Sequence, residues 1–296
     1  MIRNLEPDEL VWFMGRALAF VGHADPHGLA VRLNARLKDP VADAARCYVN
    51  SRSGAEPSAG LFVEVRGRGA GARTATLTSV WHAGDPAALV ALIEDVIERE
   101  APEAVSVPLH LLGTATARTL GELLAPLGFE RDEVRRMRFE LTEVPPLGRP
   151  LVLEAWQPHS ELGFRELFET CEGGRVGDAR WSYMKRQAGA FQPDLWFVAR
   201  DGLDQEPVGY AFTGATSQEL DASYELIAVG VLRSHRGDSE MLRRLVVSTL
   251  RELAGRSPVG SVHMAQGSAD PKLGGILASL GFTAFEKTPT LVRLPR

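Results

Sequence analysis

The stretch from residue 224 to residue 255 constrains this chain most, because it specifies a strand, a tight turn and a helix in close succession. Tyr224–Leu232 is rich in Val, Ile and Leu and predicts a buried strand. The basic loop 233–237 ends in glycine, and a helix follows from Asp238 or Ser239, both good N-cap types. The helix is predicted to bury one face, whose apolar residues recur at spacings of three and four: Met241, Leu242, Leu245, Val246, Leu250 and Leu253.

A strand that leads through a tight loop into a helix is a potential anion site. The amides of the first helical turn have no intrahelical partner, and the helix dipole places partial positive charge there. Arg236 adds a full positive charge beside Gly237. The stretch therefore indicates a phosphate or pyrophosphate ligand.

The same residues resemble a motif of the GNAT acyltransferase superfamily, V-x-P-x-x-R-G-x-G-x-G/A, between the fourth strand and third helix of that fold. Val231, Arg236 and Gly237 match it, whereas Ser239 and Met241 stand where the family has Gly and then Gly or Ala. A second family feature, a strand and short helix followed by L-G-F, is matched by 262–264 and 280–282.

The resemblance implies acetyl-CoA as co-substrate. Its pyrophosphate would lie on the loop amides, so the implied cofactor-binding residues are Val229, Val231, Arg236, Gly237, Asp238, Ser239 and Met241. The backbone of Val229 and Val231 would pair with the pantetheine arm as an added strand would. The alternative is that both valines are core residues and Arg236 is a solvated surface residue. Asp238 and Glu240 also allow a helix start that is capped by its own carboxylates.

Composition narrows the function classes. The chain has 296 residues, 45% hydrophobic and 24% charged, with a net charge of −5. Neither half is basic, which argues against a nucleic-acid partner. No apolar run approaches the roughly 18 residues of a membrane span. Cys47 and Cys171 make no disulfide framework, and no leader or metal-ligand cluster is evident. We therefore expect a cytoplasmic protein with no metal, no nucleic acid and no membrane partner.

An internal repeat divides the chain. Gly84-Asp85, Leu127-Gly128-Phe129 and Leu141 recur as Gly237-Asp238, Leu280-Gly281-Phe282 and Leu294, each 153 residues later. The proline-rich segment 142–150 is predicted to be a linker. We thus expect a degenerate N-terminal GNAT-like domain over 1–146 and a C-terminal GNAT domain with the acetyl-CoA site over 150–296. Tandem chains of this family exist, mycothiol synthase among them.

The first half is predicted to have lost CoA binding. Residues 66–71 fit R-x-x-G-x-G, but the following sequence is β-branched and unsuited to a helix, so we interpret them as a hairpin loop. The counterpart of the second-half loop is His82–Pro86, which is shorter and has no arginine. Residues 1–35 are predicted to be helical, and 129–141 alternates like an edge or hairpin strand.

Acetyl transfer needs a proton acceptor for the amine and a donor for the leaving thiolate. The resemblance makes Glu225, on the motif strand, the candidate base, although a surface glutamate is the simpler reading. His263 on the next strand could relay a proton, or be a packed or exposed histidine. The tyrosine that often acts as acid in the family is replaced by Leu277, which leaves Tyr183 or water. In the segment 172–194, aromatic residues could contact substrate or form core.

Together these features predict an α/β (α+β) chain of two tandem GNAT-like domains, each a mixed, mostly antiparallel sheet flanked by helices. The resemblance implies an N-acetyltransferase that moves an acyl group from acetyl-CoA to a primary amine of a small molecule or peptide. The alternative is a catalytically inactive tandem GNAT that serves as a binding or dimerisation scaffold. A monomer and a homodimer are both compatible with the sequence.

Overall fold

The computed structural model describes residues 1–35, 44–51, 56–67, 73–110, 112–173, 176, 178–186, 191–203, 205–215, 222–235, 237–266 and 271–294. The chain forms two compact units. The first contains 1–66, 73–133 and 288–296, and the second contains 67–72 and 134–287. These units are defined by contacts, whereas the predicted halves are defined by a sequence repeat, so the boundary at 146–150 stays a prediction about the repeat.

The first unit is built on strands in the order β1-β2-β3-β4-β5. Its elements are β1 (Ile2–Asn4), α1 (Leu10–Phe20), α2 (Pro26–Asn34), β2 (Cys47–Asn50), β3 (Ala59–Gly67), β4 (Arg73–His82), α3 (Pro86–Glu100), β5 (Ala104–Pro108) and α4 (Thr114–Leu124). β4 and β5 run parallel, and Thr290–Arg293 near the C-terminus pairs antiparallel with β5. The prediction that 1–35 is helical throughout is wrong at its start, where Ile2–Asn4 pairs with β2.

The second unit carries the strand-loop-helix stretch. Its elements are β6 (Glu130–Glu140), β7 (Val152–Ala155), α5 (Glu161–Glu172), α6 (Asp178–Arg186), β8 (Trp196–Arg200), β9 (Pro207–Ala215), β10 (Ser223–Val231), α7 (Ser239–Arg256), β11 (Ser261–Gln266), α8 (Pro271–Ser279) and β12 (Thr283–Arg293). The start of β6 and the end of β12 belong to the first unit. The strand order is β12-β6-β11-β10-β9-β8-β7. β6 therefore lies between β12 and β11, neither of which is next to it in sequence, so the prediction of an edge or hairpin strand is wrong.

Two hydrophobic clusters hold the second unit together, one on each face of the sheet. The first cluster contains Leu242, Leu245, Val246, Leu250 and Leu253 of α7 with Val229, Val231, Val262 and Met264 of the strands. The second is aromatic and contains Phe164 and Phe168 of α5, Trp181 of α6, Trp196 of β8, and Tyr210 and Phe212 of β9. At about 25 cal/mol per Å² of apolar surface removed from water, such burial is the main stabilising term.

The local predictions for the central stretch hold closely. β10 begins at Ser223, and α7 begins at Ser239 with Asp238 as its N-cap. All six predicted apolar positions of α7 are buried. α7 ends at Arg256, one residue beyond the stretch 224–255. The expected α/β (α+β) class is confirmed, with a mixed, mostly antiparallel sheet covered by helices.

Candidate functional site

β10 and β11 separate partway along their length. They pair in parallel over only three residues, ending at Glu225 opposite His263. β10 then continues to Val231 and β11 to Gln266. β9 keeps its pairing with β10 as far as Val231. Beyond Glu225, β10 thus has one paired edge, and the other edge faces a wedge between the two parallel strands.

A β-bulge marks the point where the wedge opens. In the pairing of β9 with β10, Thr213 lies opposite Leu226 and Phe212 opposite Ala228, so Ile227 is an extra residue. Leu232 N–H donates to the carbonyl of Val208 at 2.9 Å. Because N–H directions alternate along a strand, the N–H groups of Val229 and Val231 point away from β9. These two amides therefore face the wedge, although both valine side chains are buried in the core.

The N-terminus of α7 is capped by the side chain of its N-cap residue, Asp238. One carboxylate oxygen of Asp238 accepts the N–H groups of Glu240 at 2.9 Å and Met241 at 3.1 Å. Asp238 N–H itself donates to the carbonyl of His235. The Met241 side chain is 5% exposed and packs in the core, so it does not fill the space in front of the loop. Two of the amides expected to bind an anion are thus already hydrogen-bonded within the helix start.

The loop before α7 is otherwise open. Gly237, Asp238 and Ser239 are exposed, and a Cβ added at Gly237 would meet no described atom within 4 Å. Arg236, the predicted charged contact, lies outside the described residues. Its role stays a prediction, as do those of Gly237, Asp238 and Ser239.

Glu225 and His263 come together at the mouth of the wedge. They are register partners on neighbouring parallel strands, so their side chains lie on the same face of the sheet. Glu225 is exposed and His263 is half-buried. Burial lowers the pKa of His263, and Arg136 and Arg138 lower it further, outweighing the opposing effects of Glu225 and Glu140. Near neutral pH the imidazole of His263 is therefore neutral, and the exposed side chain of Glu225 lies beside it.

Solved structures share this architecture. The chain matches a GCN5-related N-acetyltransferase from Anabaena variabilis ATCC 29413 over 99% of its own length and 72% of that chain, with 13% identity and a TM-score of 0.58. The chain has the GNAT fold. A probable N-acyltransferase of Enterococcus faecalis V583 matches with 10% identity, a TM-score of 0.55 and coverages of 99% and 72%. A GCN5-related N-acetyltransferase from Kribbella flavida matches with 15% identity and a TM-score of 0.53, over 99% of this chain and 70% of that chain.

At these sequence identities the similarity shows the GNAT fold only. The reaction has to be inferred from the geometry of the site. No protein-family model matches the sequence, and neither does any curated protein. Over the described ranges, no helix is long and apolar enough to cross a membrane. Within the same part of the chain, no group of three or more His, Cys, Asp or Glu residues could hold a metal ion.

The remaining sequence candidates are either buried or have side chains outside the described part of the structure. Tyr183 lies on α6, but its side chain is outside the described part of the structure, so its role as acid stays a prediction. Trp181 is 3% exposed and belongs to the aromatic core rather than to an open substrate surface. Leu277 is fully buried. Because this position is a leucine, it supplies no tyrosine acid.

The first unit contains a similar divergence. Thr74–Thr76 of β4 pair with Ala104–Ser106 of β5, and β4 then continues to His82 beyond the end of this pairing. A cleft of about 240 Å³ lies there, lined by His82, Phe20 and α4 side chains. Asp85 caps α3 by accepting the N–H of Ala88 at 3.1 Å. No described basic side chain lines this cleft apart from the imidazole. That agrees with a lost pyrophosphate site, and the loss itself stays a prediction.

Sequence reasoning missed the basic and aromatic neighbours of His263. Arg138 lies opposite His263 in the β6–β11 register, and the ring of Phe285 is 5.1 Å from the imidazole. The alternation of Arg136 and Arg138 with buried Met137 and Phe139 does indicate one polar face. It does not reveal which strand lies next to β6, so only the topology places these residues at the site.

The lowered pKa of His263 predicts a pH dependence of stability. Since folding favours the neutral ring, stability is lost as pH falls below the ordinary value of 6.5 and through the lowered pKa. His263→Gln should therefore show a smaller decrease in Tm between about pH 7.5 and 5.5 than the parent chain. His159→Gln, which changes an exposed histidine, serves as the control. Parallel Tm curves for His263→Gln and the parent would contradict the prediction.

Proposed function

We propose that the second unit is an N-acetyltransferase that transfers the acetyl group of acetyl-CoA to a primary amine. The observation that carries the proposal is the open edge of β10 beyond Glu225, where two N–H groups face a wedge between parallel strands. An extended pantetheine arm can pair with such an edge as an added strand does. The GNAT fold of the chain supports the same reaction class.

In the proposed reaction, the amine attacks the thioester carbonyl carbon directly. The nitrogen–carbonyl bond forms, the carbon–sulfur bond breaks, and the electron pair leaves with the thiolate of CoA. Glu225 accepts the proton that the amine loses, and its exposed position leaves room for the amine. His263, held neutral by its surroundings, can relay a proton toward solvent or the thiolate.

The function is tested by incubating the full chain with acetyl-CoA and a panel of primary amines, and following the release of free thiol. Amine-dependent release is expected for at least one amine class. Binding is measured separately as a thermal shift with CoA, since a ligand at 100 times its Kd stabilises by about 2.7 kcal/mol. Absence of any shift at millimolar acetyl-CoA would contradict the proposal and leave the scaffold alternative.

Asp238 is expected to limit how tightly CoA binds. Its carboxylate occupies the helix start where the pyrophosphate is expected, and like charges about 4 Å apart repel by about 1 kcal/mol even in water. Asp238→Ser keeps an N-cap hydroxyl but removes the charge. We expect this variant to bind CoA about fivefold more tightly, measured by calorimetry.

The control for this experiment is Asp194→Ser, which removes an exposed carboxylate from a different part of the same unit. Its CoA affinity should match that of the parent chain. Unchanged CoA affinity of Asp238→Ser would show that the pyrophosphate does not lie beside this carboxylate, and weaker binding would contradict the expected repulsion between them.

A further inference from the structure

A band of charged side chains crosses the second unit at the mouth of the wedge. Glu225 on β10 lies beside His263 on β11, and His263 lies opposite Arg138 on β6. Arg136 is two residues along from Arg138 and shares its face, because side chains alternate. The intervening residues belong to the core on the other face: Leu226, Val262, Met264, Met137 and Phe139.

The band has one carboxylate at one end and, at the other, two arginines that each contact a glutamate. The carboxylate of Glu225 lies on the β10 side of His263, and both guanidinium groups lie on the β6 side. Since neighbouring strands are about 4.8 Å apart, the two sides are about 10 Å apart. Glu225, Arg136 and Arg138 all act electrostatically on the His263 ring, so each lies near that ring.

The two arginines keep hydrogen-bonding capacity for a further anion. Arg136 contacts Glu286 at 3.4 Å, and Arg138 contacts Glu140 at 2.7 Å. The side chains of both pairs are between 39% and 50% exposed, and exposed pairs contribute little energy. Each guanidinium has five N–H donors, of which one carboxylate uses at most two. A carboxylate from a ligand can therefore be accommodated at either arginine.

An exposed aromatic ring of β12, the strand next to β6, lies against the arginine end of the band. Phe285 is 49% exposed, although large apolar side chains are more often buried. The centre of its ring is 5.1 Å from the His263 imidazole and 5.6 Å from the Arg136 guanidinium. The ring offers an apolar surface on which a short hydrocarbon segment can pack.

We infer that this face binds an acceptor that carries both an ammonium group and a carboxylate, joined by a short apolar segment. The ammonium lies at Glu225, the carboxylate at Arg136 and Arg138, and the segment between them crosses His263 and packs against the Phe285 ring beside it. The assignment as acceptor rests on the proposed transferase function, whereas the binding of such a molecule does not. The substrate class is therefore an amino acid or a peptide-like compound whose amine and carboxylate are well separated.

The inference is tested by calorimetry on the full chain with ω-amino acids of about four to eight carbons, since the charged groups on the protein are about 10 Å apart. Alkylamines and alkanoates of matched length serve as single-charge probes. We expect the best ω-amino acid to bind at least about tenfold more tightly than either matched probe, with an optimum at an intermediate length. Equal affinities, or no dependence on length, would overturn the inference.

Substitutions locate the site. Arg136→Gln combined with Arg138→Gln should reduce ω-amino acid affinity to that of the matched alkylamine. Arg135→Gln is the matched control. Arg135 is an exposed arginine on the same strand, but it lies on the face of Met137, opposite to the face of Arg136 and Arg138. An equal loss of affinity in the control would show nonspecific charge attraction and overturn the inference.

Thiol release from acetyl-CoA with the same compounds separates this inference from the proposed function. Selective binding of ω-amino acids without thiol release contradicts the transferase and leaves the binding site in place. Thiol release that is equally fast with alkylamines and ω-amino acids supports the transferase and overturns the zwitterionic acceptor.

Discussion

Replacing Glu225 by glutamine is expected to lower kcat/KM for amine acetylation about 10²- to 10⁴-fold. Glutamine keeps the size of the side chain but cannot accept the proton that the attacking amine loses. Because Glu225 is exposed, the change should alter the free energy of unfolding by less than about 0.5 kcal/mol. CoA affinity should also stay constant, since the wedge beyond Glu225 is unchanged. The measurement is steady-state thiol release over a range of pH.

Glu206→Gln provides the control, because Glu206 is an exposed carboxylate in the same unit at the start of β9. Its kinetic constants should equal those of the parent chain. If Glu225→Gln kept its rate within about twofold and kept its pH profile, Glu225 would not be the base. His263→Gln would then be the next variant to test, since His263 is the register partner of Glu225.

Phe212→Ala is expected to destabilise the second unit by about 3–5 kcal/mol. The Phe212 side chain is fully buried, and its ring stacks on Trp196 with centroids 3.9 Å apart and on Phe168 at 5.4 Å. Truncation removes these contacts and leaves a cavity below α5. Phe212 also lies opposite Ala228 at the bulge of β10. Its loss should therefore make the position of β10 along the wedge less fixed. Denaturant unfolding monitored by tryptophan fluorescence measures the change.

The matched control is Phe285→Ala, since Phe285 is half exposed and its loss should change stability by about 0.5 kcal/mol or less. Similar destabilisation by the two variants would contradict the assignment of the aromatic cluster as the core of this face. CoA affinity of Phe212→Ala should fall together with its stability.

Local patterns predicted the central stretch well because each depends on neighbouring residues only. The spacing of Leu242, Leu245 and Leu253 identified the buried face of α7, and Asp238 was recognisable as an N-cap type. In both Leu-Gly-Phe segments the glycine has positive φ, 83° at Gly128 and 98° at Gly281, which explains why glycine recurs there.

Partnerships between distant strands could not be predicted in the same way. Alternation in 129–141 shows that one face is polar, but it does not specify that β6 pairs with β11. The pairing of Thr290–Arg293 with β5 likewise has no local signal. For this reason the sequence, read with the family resemblance, named Glu225 and His263 as candidates but did not place Arg138 and Phe285 beside them.

The helix start shows a different limit. The sequence left open whether Asp238 and Glu240 would cap the helix or whether a ligand would. In the structure the backbone N–H groups of Glu240 and Met241 donate hydrogen bonds to the Asp238 carboxylate. The open amides of β10 lie elsewhere, at Val229 and Val231, and depend on the length of a strand pairing rather than on any single residue type.

Hydrogen exchange at the amides of Val229 and Val231 tests the central claim most directly. Saturating CoA should slow exchange at both, because their N–H groups would then donate to the pantetheine arm. Exchange at Tyr224 and Val262, in the paired part of β10 and β11, should change little. If Val229 and Val231 exchange equally fast with and without millimolar CoA, the open edge of β10 does not bind the cofactor and the transferase proposal is wrong.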